Sequence, residues 1–329
     1  MAIEIGTVNA DTSVKLGNTN IQSGYIGTNI VFGNQIIKIL DIYPTSIHHA
    51  YSLRKLKTAY TGACLRIRRT TTTPSVTTTT VDLNFDSNDT ISLNSAITYV
   101  SGTATTATNL GQFCASIVNG YTNPDGVNTN QNIFVVTWFD QSGNGKNPTQ
   151  ATAGNQPRLV NAGNLETKDS KVAVRFIKAS STNLTVVDTT SNTNNLSVYF
   201  VGAYVTTVTA NIGYATGTNR IYFPYSNGLN LYAGYGSLAT AILLDSLNTN
   251  RKLYEFLAPT VGSTTLAQSW SNGVAKTTTP LQTFTNANIQ LGTGLTNYFD
   301  GYIQEVLGYQ TNADRLNKEN NINTYWQIY

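Results

Sequence analysis

Charge is scarce in this sequence. Of 329 residues, Lys and Arg supply 20 and Asp and Glu 17, a charged fraction of 11%, less than half the roughly 25% usual in soluble domains. The resulting +3 is too weak a field to capture a polyanion by electrostatics. Cysteine is nearly missing. Cys64 and Cys114 are too few for a disulfide framework, and without Cys or His partners at ligand spacing they suit no zinc site; both read as small buried apolar residues. The only histidines, His48 and His49, would diverge on a helix and cannot share one metal, and no Ser-His-Asp arrangement has another histidine to draw on. No apolar run approaches the about eighteen residues of a membrane span. The N-terminal MAIEIGTVNADTSVKLGN has no basic segment ahead of an apolar one, so no secretory leader is expected and the chain reads as made in the cytoplasm.

Neutral polarity replaces the charge, with Thr and Asn foremost. Thr favours strands, while Asn and the 26 glycines favour turns. From residue 81 onward, short alternating segments such as VDLNF, NIFVVTWF, KVAVRFI, LSVYFVGAYV, LNLYAGY and YIQEVLGY are punctuated by Asn, Gly, Asp and Ser. Many short strands at this spacing indicate an all-β fold, an antiparallel two-sheet sandwich in which each strand buries one face. Three other elements are expected to break the pattern: an amphipathic helix within 49–60, where Ala50, Leu53, Leu56 and Tyr60 recur at helical spacing; a helix within NLGQFCASIV at 109–118; and a short helical turn in the final stretch.

Residues 14–33, VKLGNTNIQSGYIGTNIVFG, hold a short imperfect repeat that fits two strands of a hairpin. Almost uncharged, the segment cannot build a core alone and needs another surface. It is read as a docking arm spanning 1–45, burying Leu16, Ile21, Tyr25, Ile26, Val31 and Phe32 and adding strands to a neighbour's sheet edge. Behind it, 46–329 forms the sandwich.

Six cations, Arg54, Lys55, Lys57, Arg66, Arg68 and Arg69, gather between 54 and 69 without an acid among them. A solvated face whose cations pair with acids brought close by folding explains them better than nucleic acid does. ACLRIRR within this stretch alternates as a half-buried strand with its cations outward. TTTTPSVTTTT at 70–80 reads as an edge connection.

Three stretches, HAYSLRKLKTAYTGACLRIRR at 49–69, FVVTWFDQSGNGKNPTQATAGNQPRLV at 134–160 and FDGYIQEVLGYQTNADRLNKENNINTYWQIY at 299–329, together resemble the concanavalin A-like (laminin-G-like) jelly-roll domains of bacteriophage structural proteins. More distantly they are similar to the catalytic domain of fungal α-L-arabinofuranosidases, which carry a comparable W-[YF]-D-Q-S segment. LGNTNIQSGYIGTNIVFG looks like short repeats near the ends of phage virion proteins. The resemblance implies a virion component, a capsid decoration, head fibre or tail appendage, made in the host cytoplasm and non-enzymatic. It further implies partners among other virion proteins and a homotrimeric form, without nucleic acid or membrane insertion; the alternative readings are a carbohydrate-binding adhesion module for host-surface or mucosal glycans and an arabinofuranosidase-like glycoside hydrolase.

Asp140-x-Ser142-x-Asn144-Gly145 matches the first half of a calcium loop, but position twelve is Ala151 rather than Glu. A tight turn in which Asp140 and Asn144 cap backbone amides is the stronger reading, so calcium is a minor option and no other cofactor is expected. A retaining glycosidase needs two carboxylates about 5 Å apart. The candidates are Glu305, Asp300, Glu255 and Asp140, none at a position matching the arabinofuranosidase machinery, so no catalytic residue is assigned. Tyr222, Tyr225, Tyr232 and Tyr235 with Trp270 form the aromatic set that would stack on sugar rings if gathered on one exposed edge.

Overall fold

A computed structural model of the chain describes residues 14–16, 19–21, 24–26, 29–32, 37–71, 77–188, 196–205, 211–216, 221–227, 230–235, 237–246, 248–258, 267–276, 288–294 and 297–329. For 14–16, 19–21, 24–26 and 29–32, and for 211, 212, 221, 222, 227, 230–235, 237–242, 244 and 258, the backbone alone is described. The fold is the expected all-β antiparallel sandwich. One sheet has thirteen strands and the other six.

Alternation sets the strands. Leu65–Thr71 buries Leu65, Ile67, Arg69 and Thr71 and leaves Arg66, Arg68 and Thr70 partly exposed, while Thr77–Leu83 beside it buries Thr79, Val81 and Leu83. The threonine-rich stretch therefore continues this hairpin on both sides, with Thr71 opposite Thr77. Deeper in the sheet the alternation disappears because both faces are covered. Leu196–Tyr204 is buried at every position, and Gly301–Tyr309 at all but Tyr302. The latter strand pairs along one edge with Leu196–Tyr204 and along the other with two partners, Val174–Phe176 and Ile47–Ser52.

The six-stranded sheet runs Leu184–Val187, Asn288–Leu291, Asn211–Thr216, Ile221–Asn227, Asn230–Tyr235 and Ser237–Ser246. Between the sheets, Phe223 meets Phe200, Tyr214 and Phe256, with ring centroids 5.8–6.2 Å apart. Phe200 and Tyr214 meet Phe223 edge to face and Phe256 meets it at a 33° tilt, and aromatic pairs of this kind add to the burial that drives sheet stacking. The opposite face of the large sheet is covered by the helix Arg315–Trp326, whose buried side is Lys318, Glu319, Ile322 and Trp326. The short helix Ile39–Ile42 also joins the core through Ile39 and Leu40, so the chain is tied to the sandwich from residue 37, ahead of the boundary expected at 46. No helix among the described residues is long and apolar enough to cross a membrane.

The helix expected within 49–60 is a strand, Ile47–Ser52, followed by irregular backbone. Its side chains are buried on both faces, so Ala50 and Leu53 share burial without sharing a helix face, and tertiary pairing with Gly301–Tyr309 overrides the apparent periodicity. Within 109–118 the structure holds one α-turn, Leu110–Phe113, capped by the Asn109 side chain, and a 3₁₀ turn, Ile117–Asn119. Cys64 and Cys114 are free and buried, as expected, and burial pushes the Cys114 thiol up to about 12.

The arm forms two hairpins rather than one. Val14–Leu16 pairs with Thr19–Ile21 and Gly24–Ile26 with Asn29–Phe32, each as a two-stranded sheet of its own. The repeat thus encodes one hairpin per copy, with Gly17-Asn18 and Gly27-Thr28 between the strands. The side chains of Leu16, Ile21, Tyr25, Ile26, Val31 and Phe32 lie outside the described residues.

Folding brings acids to the basic cluster. Arg66 holds Asp82, Arg69 reaches Asp125 and Lys55 approaches Asp89. Arg54 grips the fully buried Glu305 bidentately at 2.7 and 2.9 Å, while the Ser52 hydroxyl donates to the same carboxylate at 2.7 Å. Removing one partner of a buried, fully hydrogen-bonded pair strands the other charge, at about 3–5 kcal/mol. Glu305→Ala should lower unfolding stability by about that amount, read from the denaturant midpoint at unchanged slope; an effect within experimental error would remove Arg54–Glu305 as a structural anchor.

Candidate functional site

On the helix-covered face, strand register aligns Tyr199, Glu255 and Trp270 across three neighbouring strands. Side chains directly opposite on antiparallel strands share a face, so these three form one row. The helix supplies Arg315 and Glu319, an i,i+4 pair. Arg315 Nη1 donates to Glu255 Oε2 at 2.8 Å and also to Glu319 Oε2. Its guanidinium lies 4.3 Å above the Trp270 ring, a favourable cation–π position. The Tyr329 hydroxyl donates to Glu319 Oε1.

A tight turn holds this arrangement. Gln268–Ser271 reverses into Val274–Ala275 through Asn272 and Gly273, at φ 49° and 74°, the positive-φ pair that a two-residue hairpin turn requires. A Cβ at Gly273 would lie 2.4 Å from Glu319 Oε1, so glycine satisfies both the turn and the close approach.

Glu255 is only 2% exposed. Burial, followed by the charge of Glu319, raises its pKa to about 8, against the opposing pull of Arg315. At neutral pH the carboxyl is therefore largely protonated. Glu255 Oε1 and the Tyr199 hydroxyl are both buried without a hydrogen-bond partner, a state that costs about 1–3 kcal/mol per group. Both residues line a shallow depression of about 10 Å³, together with Ser197, Trp270, Asn312 and Arg315.

A second polar constellation lies around the WFDQS segment. Asp140 Oδ1 accepts from the backbone N–H groups of Ala50 and Ser142, and Oδ2 from the Ser142 hydroxyl and the Lys146 N–H. Gly143 and Gly145 adopt φ 90° and 70°, completing the expected turn. Asn144 differs from expectation: its side-chain amide donates to the carbonyls of Ile47 and His48 rather than capping an N–H group. Among the described residues, no group of three or more His, Cys, Asp or Glu side chains is placed to hold a metal ion.

His48 and His49 do not diverge. A register shift opposite Gly308 and Tyr309 makes His48 the extra residue of a bulge, which re-aims its side chain. The two Nδ1 atoms lie 2.8 Å apart, His48 Nε2 meets Asp188 at 3.0 Å, and His49 Nε2 lies 3.3 Å from the Tyr214 hydroxyl. Lys146 closes the line on Asp188. Burial, then neighbouring His48, holds the His49 pKa well below its usual value. His49 stacks between Tyr51 and Tyr214, so this network belongs to the interior.

The other expected site residues do not converge. Glu305 is held by Arg54, and Asp300 by Arg175 at 2.6 Å. Tyr225 is buried at 8% exposure and belongs to the six-stranded sheet, whereas Trp270 lies in the large sheet. A platform shared by both is therefore not formed. The side chains of Tyr222, Tyr232 and Tyr235 lie outside the described residues. Of the four acids considered, Glu255 alone has a carboxylate neighbour sharing its arginine, and that neighbour, Glu319, was missed because its stretch read as a short turn. The i,i+4 spacing of Arg315 and Glu319, that of a helical ion pair, was the available signal. The depression, at about 10 Å³, has room for about one water-sized group, and Arg315 spans the two acids.

No protein-family model and no curated protein matches the chain. Among solved structures, it is similar to a GH54 α-L-arabinofuranosidase mutant soaked with 4-nitrophenyl α-L-arabinofuranoside, at TM-score 0.52 and 15% identity over 87% of this chain and 64% of that one. A GH54 α-L-arabinofuranosidase soaked with a cyclic sulfate inhibitor gives TM-score 0.50, also at 15% identity and over the same shares of both chains. The chain thus spans about 64% of the length of these neighbours. The likeness establishes a shared sandwich fold.

Two titrations should bracket stability. His49, with its folded pKa below the unfolded value, contributes stability above about pH 6.5 that is lost as pH falls toward the folded pKa. Glu255, raised to about 8, contributes stability below about pH 4.3 that is lost as pH rises through 8. Thermal melts should therefore show His49→Phe flattening the acid limb and Glu255→Gln the limb between pH 5 and 8. Unchanged limbs in both variants would rule out these two groups as the source.

Proposed function

We propose that this protein is a non-enzymatic structural component of a bacteriophage virion, on the capsid or tail, attached by its N-terminal arm and presenting the jelly-roll sandwich outward. The observation that carries this reading is the pairing of the arm. Its two hairpins form separate two-stranded sheets and add no strand to either sheet of the sandwich among the described residues. Isolated two-stranded hairpins are marginal in water and offer edge N–H and C=O groups for strand addition to a partner sheet. The sequence resemblance to phage repeats supplies the class of partner.

The state of the acids supports a non-enzymatic role. Glu305 and Asp300 are held in ion pairs, Asp140 supports a turn, and Glu255 is bridged to Glu319 by Arg315. Symmetric appendages are the rule for such components, and a trimer is the proposed form.

Deletion of residues 1–36 should leave the thermal midpoint of the sandwich unchanged and abolish incorporation into particles assembled with the remaining virion proteins, as read by cryo-electron microscopy of purified particles. Symmetric density for the truncated chain would overturn the attachment role of the arm. Light scattering of the full chain should give three times the 35.6 kDa protomer mass; a monomer in solution and on particles would remove the trimer.

A further inference from the structure

We propose that the depression formed by Tyr199, Glu255, Trp270, Asn312 and Arg315 is a carbohydrate subsite that takes a hydroxyl-bearing edge of one neutral sugar residue. It is independent of how the arm attaches the protein, since every residue of the subsite lies in the sandwich or its C-terminal helix.

Two unsatisfied groups belong to residues that line it. Glu255 and Tyr199, at 2% and 1% exposure, line the depression, and Glu255 Oε1 and the Tyr199 hydroxyl have no partner. Buried polar atoms are normally hydrogen-bonded, and a ligand hydroxyl, being donor and acceptor at once, can serve both. The space is small enough that a single hydroxyl, rather than a whole ring, enters it.

The rim has the remaining features of a sugar contact. Trp270 is partly exposed, with Arg315 over its ring. Arg315 commits Nη1 to the two glutamates, leaving the other nitrogens of its fork to meet a hydroxyl pair. Asn312 lines the same depression. Val274 and Tyr329 are 60% and 53% exposed near the Gly273 turn, apolar surface of the kind that a sugar ring's C–H faces can meet.

Charge selects the neutral class. The cation of Arg315 is matched by the anion of Glu319, and Glu255, held largely protonated by burial, adds no charge at neutral pH. An acidic sugar would bring an unbalanced charge against Glu319.

The test uses the full chain labelled with 5-fluorotryptophan. Its three tryptophans should give three fluorine signals, of which Trp270 alone responds to exchange of H₂O for D₂O, because Trp138 and Trp326 are 0% and 1% exposed. Neutral oligosaccharides selected on a glycan array should shift the Trp270 signal saturably at submillimolar to millimolar concentration and leave the other two in place. Trp270→Ala should weaken binding by about tenfold or more, and Arg315→Lys should weaken it while retaining the charge. Because the labelled wild-type chain reads the site directly, a variant that fails to fold does not affect the result. Binding that leaves Trp270 unmoved, binding of acidic glycans alone, or no binding of neutral glycans would each overturn the proposal.

Discussion

The strand Gly301–Tyr309 has three pairing partners and two covered faces. An acid placed at Glu305 in such a strand cannot reach water, so the fold must bring it a cation, and it brings Arg54 from the start of the sandwich together with the Ser52 hydroxyl. That requirement organises the outer face. Asn321 from the helix Arg315–Trp326 accepts from Arg54 and donates to the Ile37 carbonyl, and Tyr325 covers the Arg54 guanidinium. The two ends of the sandwich-forming chain are thereby joined around one buried ion pair. Low overall charge is consistent with this arrangement, because many of the few charges present are used inside.

The same covering helix produces the candidate site. An apolar helix would have sealed the sheet face completely. Here the buried side of the helix includes Lys318 and Glu319 beside Ile322 and Trp326, so its contact with the sheet is partly polar and leaves a depression beside Trp270. The clustered acids found there are a consequence of helix packing on a strand row, and Arg315 makes the cluster neutral. The likeness to arabinofuranosidases concerns the sandwich; the site described here rests on its own geometry.

How far the sequence could be read depended on solvent exposure. Where a strand kept one wet face, as in Leu65–Thr71, alternation revealed both the strand and its buried residues. Where both faces were covered, as in Ile47–Ser52, apolar positions lost their period of two and imitated a helix. His48 and His49 show a further reason: a one-residue bulge reverses the facing of a side chain, and nothing in a linear pattern marks the partner strand that causes it. Tyr225 and Trp270 likewise belong to different sheets, a separation that no linear pattern marks.

The sequence by itself determined the fold class, the two buried thiols, the turn at Asp140 and the repetitive arm, because each rests on local chemistry: alternation, apolar size, side-chain capping and glycine-bearing turns. Tertiary structure alone decided which charges are buried together. Arg54 and Glu305 are separated by 251 positions, and Glu255 and Arg315 by 60; only strand register and helix packing bring such residues within hydrogen-bond distance, and only burial beside Glu319 raises the Glu255 pKa.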